Sequence, residues 1–201
     1  MNIFSELNGK DLPKDFNWLN EPGQWNFNNG ILEITAPANT DFFNDPEGNI
    51  SNSAPYFYTY AEGDFELTTQ IDIKMEQMFD AAAVLILSDS DNWAKFAYEN
   101  WINEPSVVSV VTRKYSDDCP SLRIGTISPF LRVLRSGDCF GLHYSPDGIN
   151  WTIIRFFHLD VPKRIKVGIT AQSPMGNSCR AGFRLFDLKQ TKIQTAKFVS
   201  Q

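Results

Sequence analysis

Between residues 64 and 75 the chain alternates. Phe65, Leu67, Thr69, Ile71, Ile73 and Met75 fall on one parity, and Glu66, Thr68, Gln70, Asp72 and Lys74 on the other. Successive side chains of an extended strand point to opposite faces. A period of two held over this length therefore specifies a strand with one buried face and one polar face. The same reading places strands at 24–28 and 31–35, joined by the hairpin signal Asn28-Asn29-Gly30. Residues 81–87 are apolar on both faces, which suits a central strand. Further strands are predicted at 93–100, 106–115, 130–135, 139–145, 150–157, 163–172 and 181–189. Polar turns such as Ser88-Asp89-Ser90-Asp91-Asn92 and Pro146-Asp147-Gly148 separate them. Roughly a dozen short strands without an amphipathic helix indicate a sandwich or barrel. A short helix near residues 9–12 is the one competing element. Residues 36–53, with Pro37, Pro46 and Gly48, read as a long surface loop of the kind that often lines a site.

A chain of 201 residues fits one all-β domain spanning 1–201, with a core large enough to need no metal or disulfide. A net charge of −6 and the lack of any basic run argue against nucleic acid and against anionic membranes. The start, Met1-Asn2-Ile3-Phe4-Ser5-Glu6, has neither the basic nor the apolar region of a secretory signal. Cys119, Cys139 and Cys179 are odd in number and widely spaced, as expected of free thiols in a reducing compartment. The expected location is the cytoplasm.

Three segments bear on function. In Trp93-Ala94-Lys95-Phe96-Ala97-Tyr98-Glu99 a strand would send Phe96 and Tyr98 inward and put Trp93, Lys95, Ala97 and Glu99 on the other face. Same-face neighbours lie about 7 Å apart. Such a row offers an indole for stacking and two charged groups for hydrogen bonding to a polyhydroxylated ligand. A solvated face with a Lys–Glu pair competes with this reading. Arg113, at the end of the Val107–Thr112 run, would approach Trp93 and Lys95 if the two strands pair, either as a ligand-binding fork or as a structural ion pair. Arg132 is a further candidate from the next polar strand. The Ser145-Pro146-Asp147-Gly148-Ile149-Asn150-Trp151 segment reads as a structural turn.

Taken in order, Gly63-Asp64-Phe65-Glu66-Leu67, Asn92-Trp93-x-Lys95-Phe96-x-x-Glu99, Val110-Val111-Thr112-Arg113 with Ser116-Asp117, Arg132…Arg135-x-Gly137-Asp138, Ser145-x-Asp147-Gly148-x-x-Trp151 and Ala171-x-Ser173-Pro174-x-Gly176 form a set. The set resembles a concanavalin A-like family of unknown function that includes the yeast regulation-of-enolase protein and bacterial relatives. The similarity runs from about Gly9 to Phe186. It implies a jelly-roll sandwich of two antiparallel sheets with a concave face, the surface that carries sugar sites in lectins and glucanases of this fold. It implies no established reaction. Two departures are Ala83, where family members often carry glycine, and Asp118-Cys119, where an aromatic is common.

The Glu-x-Asp-x-x-Glu strand of retaining glucanases is missing. A two-carboxylate mechanism would need Glu99 with a distant partner such as Glu66 or Asp72. His143 and His158 are the only histidines and suggest packing or surface roles. No zinc spacing and no phosphate-binding glycine loop occurs, and Asp89-Ser90-Asp91-Asn92 lacks the remainder of a calcium loop. No cofactor or metal is expected. The expected partner is a saccharide or similar polar ligand held by Trp93, Lys95, Glu99, Arg113 and Arg132. The alternatives are a glycoside-active enzyme with Glu99 as acid or base, and an interaction protein that docks a metabolic enzyme.

Overall fold

The computed structural model describes residues 2–197, and these form strands and turns without a helix. Strands are numbered in chain order. One sheet runs β1 (Asn17–Leu19), β6 (Tyr56–Glu62), β15 (Arg164–Gln172), β8 (Ala81–Leu87), β9 (Asn92–Trp101), β10 (Glu104–Arg113), β11 (Tyr115–Arg123). The other runs β14 (Thr152–His158), β13 (Cys139–Ser145), β12 (Phe130–Ser136), β7 (Phe65–Lys74), β16 (Ser178–Gln190), β3 (Ile31–Pro37), β2 (Gln24–Asn28). Every pairing between these strands is antiparallel. The chain is the expected all-β sandwich.

The two sheets meet through one large apolar cluster. Phe65, Leu67 and Ile71 of β7 face Val84, Ile86, Phe96 and Tyr98 of β8 and β9. The alternation of the sequence is thus the alternation of the fold. β8, apolar on both faces, is central and fully buried, as its composition requires. The β2–β3 turn has Asn29 and Gly30 at φ 49° and 75°, the left-handed pair that a two-residue hairpin needs.

Three expectations are corrected. Gly9 pairs with Phe27 in an isolated bridge, so no helix forms near residues 9–12. The run predicted as one strand at 106–115 ends at Arg113, turns at Lys114 (φ 68°) and returns as the edge strand β11. That strand was hidden by its composition: Asp117, Asp118, Pro120 and Ser121 are exposed edge residues, not core residues. The supposed loop at 36–53 contains the hairpin β4 (Phe42–Asn44) and β5 (Ile50–Asn52). The hairpin lies against the outer face of the β8–β9–β10 region, where Phe42, Tyr56, Leu85, Leu87 and Trp93 form a second buried cluster. Asn44 fastens it, donating from Nδ2 to the carbonyls of Ser90 and Lys114 and from its backbone N–H to Ser116 Oγ.

Candidate functional site

Alternation in β9 sends Ala94, Phe96 and Tyr98 into the main core, while Trp93, Lys95, Ala97 and Glu99 take the outer face. The row is formed, but it is not a solvated face. Trp93 and Lys95 are each 2% exposed and Glu99 4%. Trp93 packs edge-on to Phe42 with ring centroids 6.2 Å apart, so the expected stacking platform is part of the second core. Lys95 has its three ammonium protons directed to Asp41 Oδ1 at 3.0 Å, the Phe42 carbonyl at 2.9 Å and Gln172 Oε1 at 2.8 Å. It ties β4 and β15 to the middle of the sheet.

Glu99 differs from both. Among the described residues its carboxyl makes no hydrogen bond, yet it is buried and faces a cavity of about 160 Å³. Burial pushes its pKa from the ordinary 4.5 up to about 7; Lys95 opposes this, and Asp41 and Asp118 reinforce it. The cavity is far larger than the roughly 15 Å³ that one water needs.

Val108 and Val110 of β10 supply the apolar lining of this cavity from the sheet. Ala83 of β8 pairs with Ala97 of β9, which pairs with Val108 of β10. The next row sets Gln172, Ala81 and Glu99 side by side. The walls are Phe43, Phe79 and Trp101, with Asp118 of β11 and Asp41 at the rim. Trp101 keeps the same parity as Glu99 and is the last residue before a two-residue turn, Ile102-Asn103, whose φ values are 51° and 64°. Phe79 stands against it, ring centroids 5.6 Å apart at 67°. Phe79 itself has φ 66°, costly for a bulky side chain. Its conformation is fixed from behind. Buried Asp80 accepts from the backbone N–H groups of Glu76 and Gln77 and from Ser173 Oγ, and the Phe79 N–H donates to the Asn100 carbonyl. The sequence reading missed Phe43, Phe79, Trp101, Asp41 and Asp118. Trp101 was within reach, two residues further along the parity already recognised. The others come from segments whose position only the fold supplies.

Arg113 and Arg132 do not join the group. Register pairs Thr112, not Arg113, with Trp93, so Arg113 has the opposite parity and donates to the His158 carbonyl. Arg132 is on β12 of the other sheet. Its guanidinium lies 3.7 Å from the Trp151 ring centroid and its Nε donates to Thr68 Oγ1. Glu66 and Asp72 are on β7 of that same far sheet, ion-paired with Lys189 and Arg184, and neither is a second carboxylate for Glu99. Asp41 and Asp118 are the carboxylates that share its cavity.

Elsewhere, Asp89 accepts from the backbone N–H groups of Asp91 and Asn92, closing that acidic turn on itself. His143 is buried on β13, its Nε2 3.4 Å from the Lys197 carbonyl. The exposed side chains of Asp138, His158 and Asp160 are the one group among the described residues spaced to surround a cation.

Two seven-stranded antiparallel sheets packed face to face define the fold class: this is a concanavalin A-like sandwich. Within that class the chain belongs to the family DUF1349, a protein family of unknown function, whose model matches residues 18–191. It is similar in structure to a functionally unknown protein from Saccharomyces cerevisiae, with TM-score 0.83, 21% identity and coverage of 88% of this chain and 97% of that one. It is also similar to the GH43 protein BlXynB from Bacillus licheniformis, with TM-score 0.76 and 15% identity; 94% of this chain matches 39% of that one. The VIP36 exoplasmic/lumenal domain in its Ca²⁺/Man3GlcNAc-bound form matches with TM-score 0.58 and 11% identity, over 94% of this chain and 89% of that one. No curated protein matches in sequence.

Proposed function

We propose that the protein is a carbohydrate-related binding module whose ligand enters the Glu99 pocket. The observation behind this reading is a buried carboxyl that makes no hydrogen bond among the described residues and faces a cavity with aromatic walls. An ionised carboxylate accepts hydrogen bonds from hydroxyls, and charge assistance makes these strong. The Trp101 and Phe79 rings offer the apolar faces on which a sugar ring stacks. Lys95 is a positioning residue in this scheme, since its donors are already engaged. The bound saccharide of the VIP36 domain and the glycoside-hydrolase assignment of BlXynB support sugars as the ligand class. We place the protein in the cytoplasm, on the support of three cysteines that form no disulfide.

The test is a glycan array followed by calorimetry on the hits, with wild type, Glu99→Gln and Trp101→Ala. Binding that both substitutions abolish in folded protein is the expected result. An array without hits, or hits unaffected by either substitution, would retire the proposal.

One observation favours a second reading, glycoside hydrolysis. With a pKa raised to about 7, Glu99 is poised to give up a proton near neutral pH, as a general acid does, and Asp41 and Asp118 supply carboxylates in the same cavity. Turnover of a chromogenic glycoside panel, lost in Glu99→Gln and in Asp118→Asn, would establish it. Turnover that survives Glu99→Gln would remove Glu99 from the acid role.

A further inference from the structure

We infer that the Glu99 pocket takes a ligand bearing a positively charged amine and, resting on the saccharide reading above, that this ligand is a sugar with a free amino group. The charge around the pocket is one-sided. Asp41, Glu99 and Asp118 line it, and the lining cation, Lys95, has its protons directed to Asp41, the Phe42 carbonyl and Gln172. The other elements packed around Glu99 add no free cation among the described residues. β8 presents Ala81 and Ala83, β10 presents Ser106 and Val108, and β15 presents Gln172. Arg123 of β11, in register with Ser106, is ion-paired to Glu104. Asp41 is paired with Lys95, so an anionic ligand would meet Glu99 and Asp118 with no free cation among the described residues to offset them.

The walls fit the same conclusion. Phe43, Phe79 and Trp101 turn aromatic surface toward the cavity, and aromatic faces attract an ammonium most where water is excluded. Glu99 is the remaining element: it is buried and lacks a hydrogen bond among the described residues, so an entering N–H⁺ would supply the donor that the protein does not. A hydroxyl also donates, but an ammonium adds the opposite charge that a desolvated carboxylate lacks.

To pair with an amine, Glu99 must be ionised. With a pKa of about 7, it is roughly one-tenth ionised at pH 6 and nine-tenths at pH 8, so affinity should rise about tenfold between them.

The experiment titrates the whole protein with 6-amino-6-deoxy-D-glucose, ethylammonium chloride and D-glucose at pH 6 and pH 8, following the indole N–H resonance of Trp101. Expected is an amino sugar that binds about tenfold more tightly than glucose at pH 8, weakens about tenfold at pH 6 and is lost in Glu99→Gln. Asp118 is exposed, so Asp118→Asn should fold in any case and weaken the amino sugar by a larger factor than it weakens glucose. Glucose binding as tightly as its amine at both pH values would overturn the inference and leave the saccharide reading standing. Ethylammonium binding as tightly as the amino sugar would support the cation site and remove the saccharide. Amine probes that leave Trp101 unmoved would overturn the inference outright.

Discussion

At the residue scale, Lys95 and Glu99 share a strand face and have opposite fates. Lys95 is fully engaged, and removing it leaves buried Gln172 and half-buried Asp41 without their shared donor. Lys95→Met should cost roughly 3–5 kcal/mol in urea denaturation. It should also raise the Glu99 pKa further, because Lys95 is the charge that lowers it. A carbon-13 titration of the Glu99 carboxyl would read that shift. Glu99 has a folded pKa near 7 against an ordinary 4.5. Its protonated form therefore favours folding at low pH, and that contribution is lost as pH rises from about 4.5 through 7. Glu99→Gln should accordingly leave stability nearly unchanged at pH 4 and raise it at pH 8, by roughly 3 kcal/mol at most. Urea melts at the two pH values check this; a substitution that destabilises equally at both would show that the carboxyl has a structural partner.

At the element scale, the β4–β5 hairpin decides which part of the outer face stays open. It covers Trp93 through Phe42, and its flanking Asp41 and Phe43 shape the rim of the pocket. Phe42→Ala should cost about 3–5 kcal/mol. Hydrogen exchange in residues 41–54 should accelerate more than exchange in β7, whose contacts lie in the other cluster. Uniform acceleration would mean that the hairpin is no separate cover. This hairpin also marks where sequence reading stopped. The parity of β9 put Trp93, Lys95 and Glu99 on one face without coordinates, because a period of two is local. That Trp93 would be roofed over and Glu99 left open depends on a segment some fifty residues earlier, rich in Pro, Gly and Asn and lacking alternation. Arg113 failed for a local reason as well. One residue of register separates it from Thr112, and one residue reverses the face.

At the scale of the whole molecule, the fold was legible in the sequence because its strongest strands, β7, β8 and β9, are also its central ones. The short or polar strands β1, β4, β5 and β11 were hidden, because they carry too few residues or too little apolar alternation to signal a strand; β6, an interior and largely buried strand between β1 and β15, was missed as well. One position shows how tightly the sheets are set. A Cβ on Gly168, in the middle of β15, would lie 2.0 Å from the Phe57 carbonyl oxygen. Gly168→Ala should therefore force β6 and β15 apart and lower the unfolding midpoint by well over the effect of an ordinary surface substitution. The outer face of β8–β10 is the surface proposed to meet ligand. The most direct measurement is a two-dimensional NMR perturbation map of the intact protein against the saccharide that binds best on the array. Shifts should concentrate at Glu99, Trp101, Phe79, Val108 and Asp118, which line the pocket. Shifts centred instead on Arg132 and Trp151 of the opposite sheet would contradict that proposal.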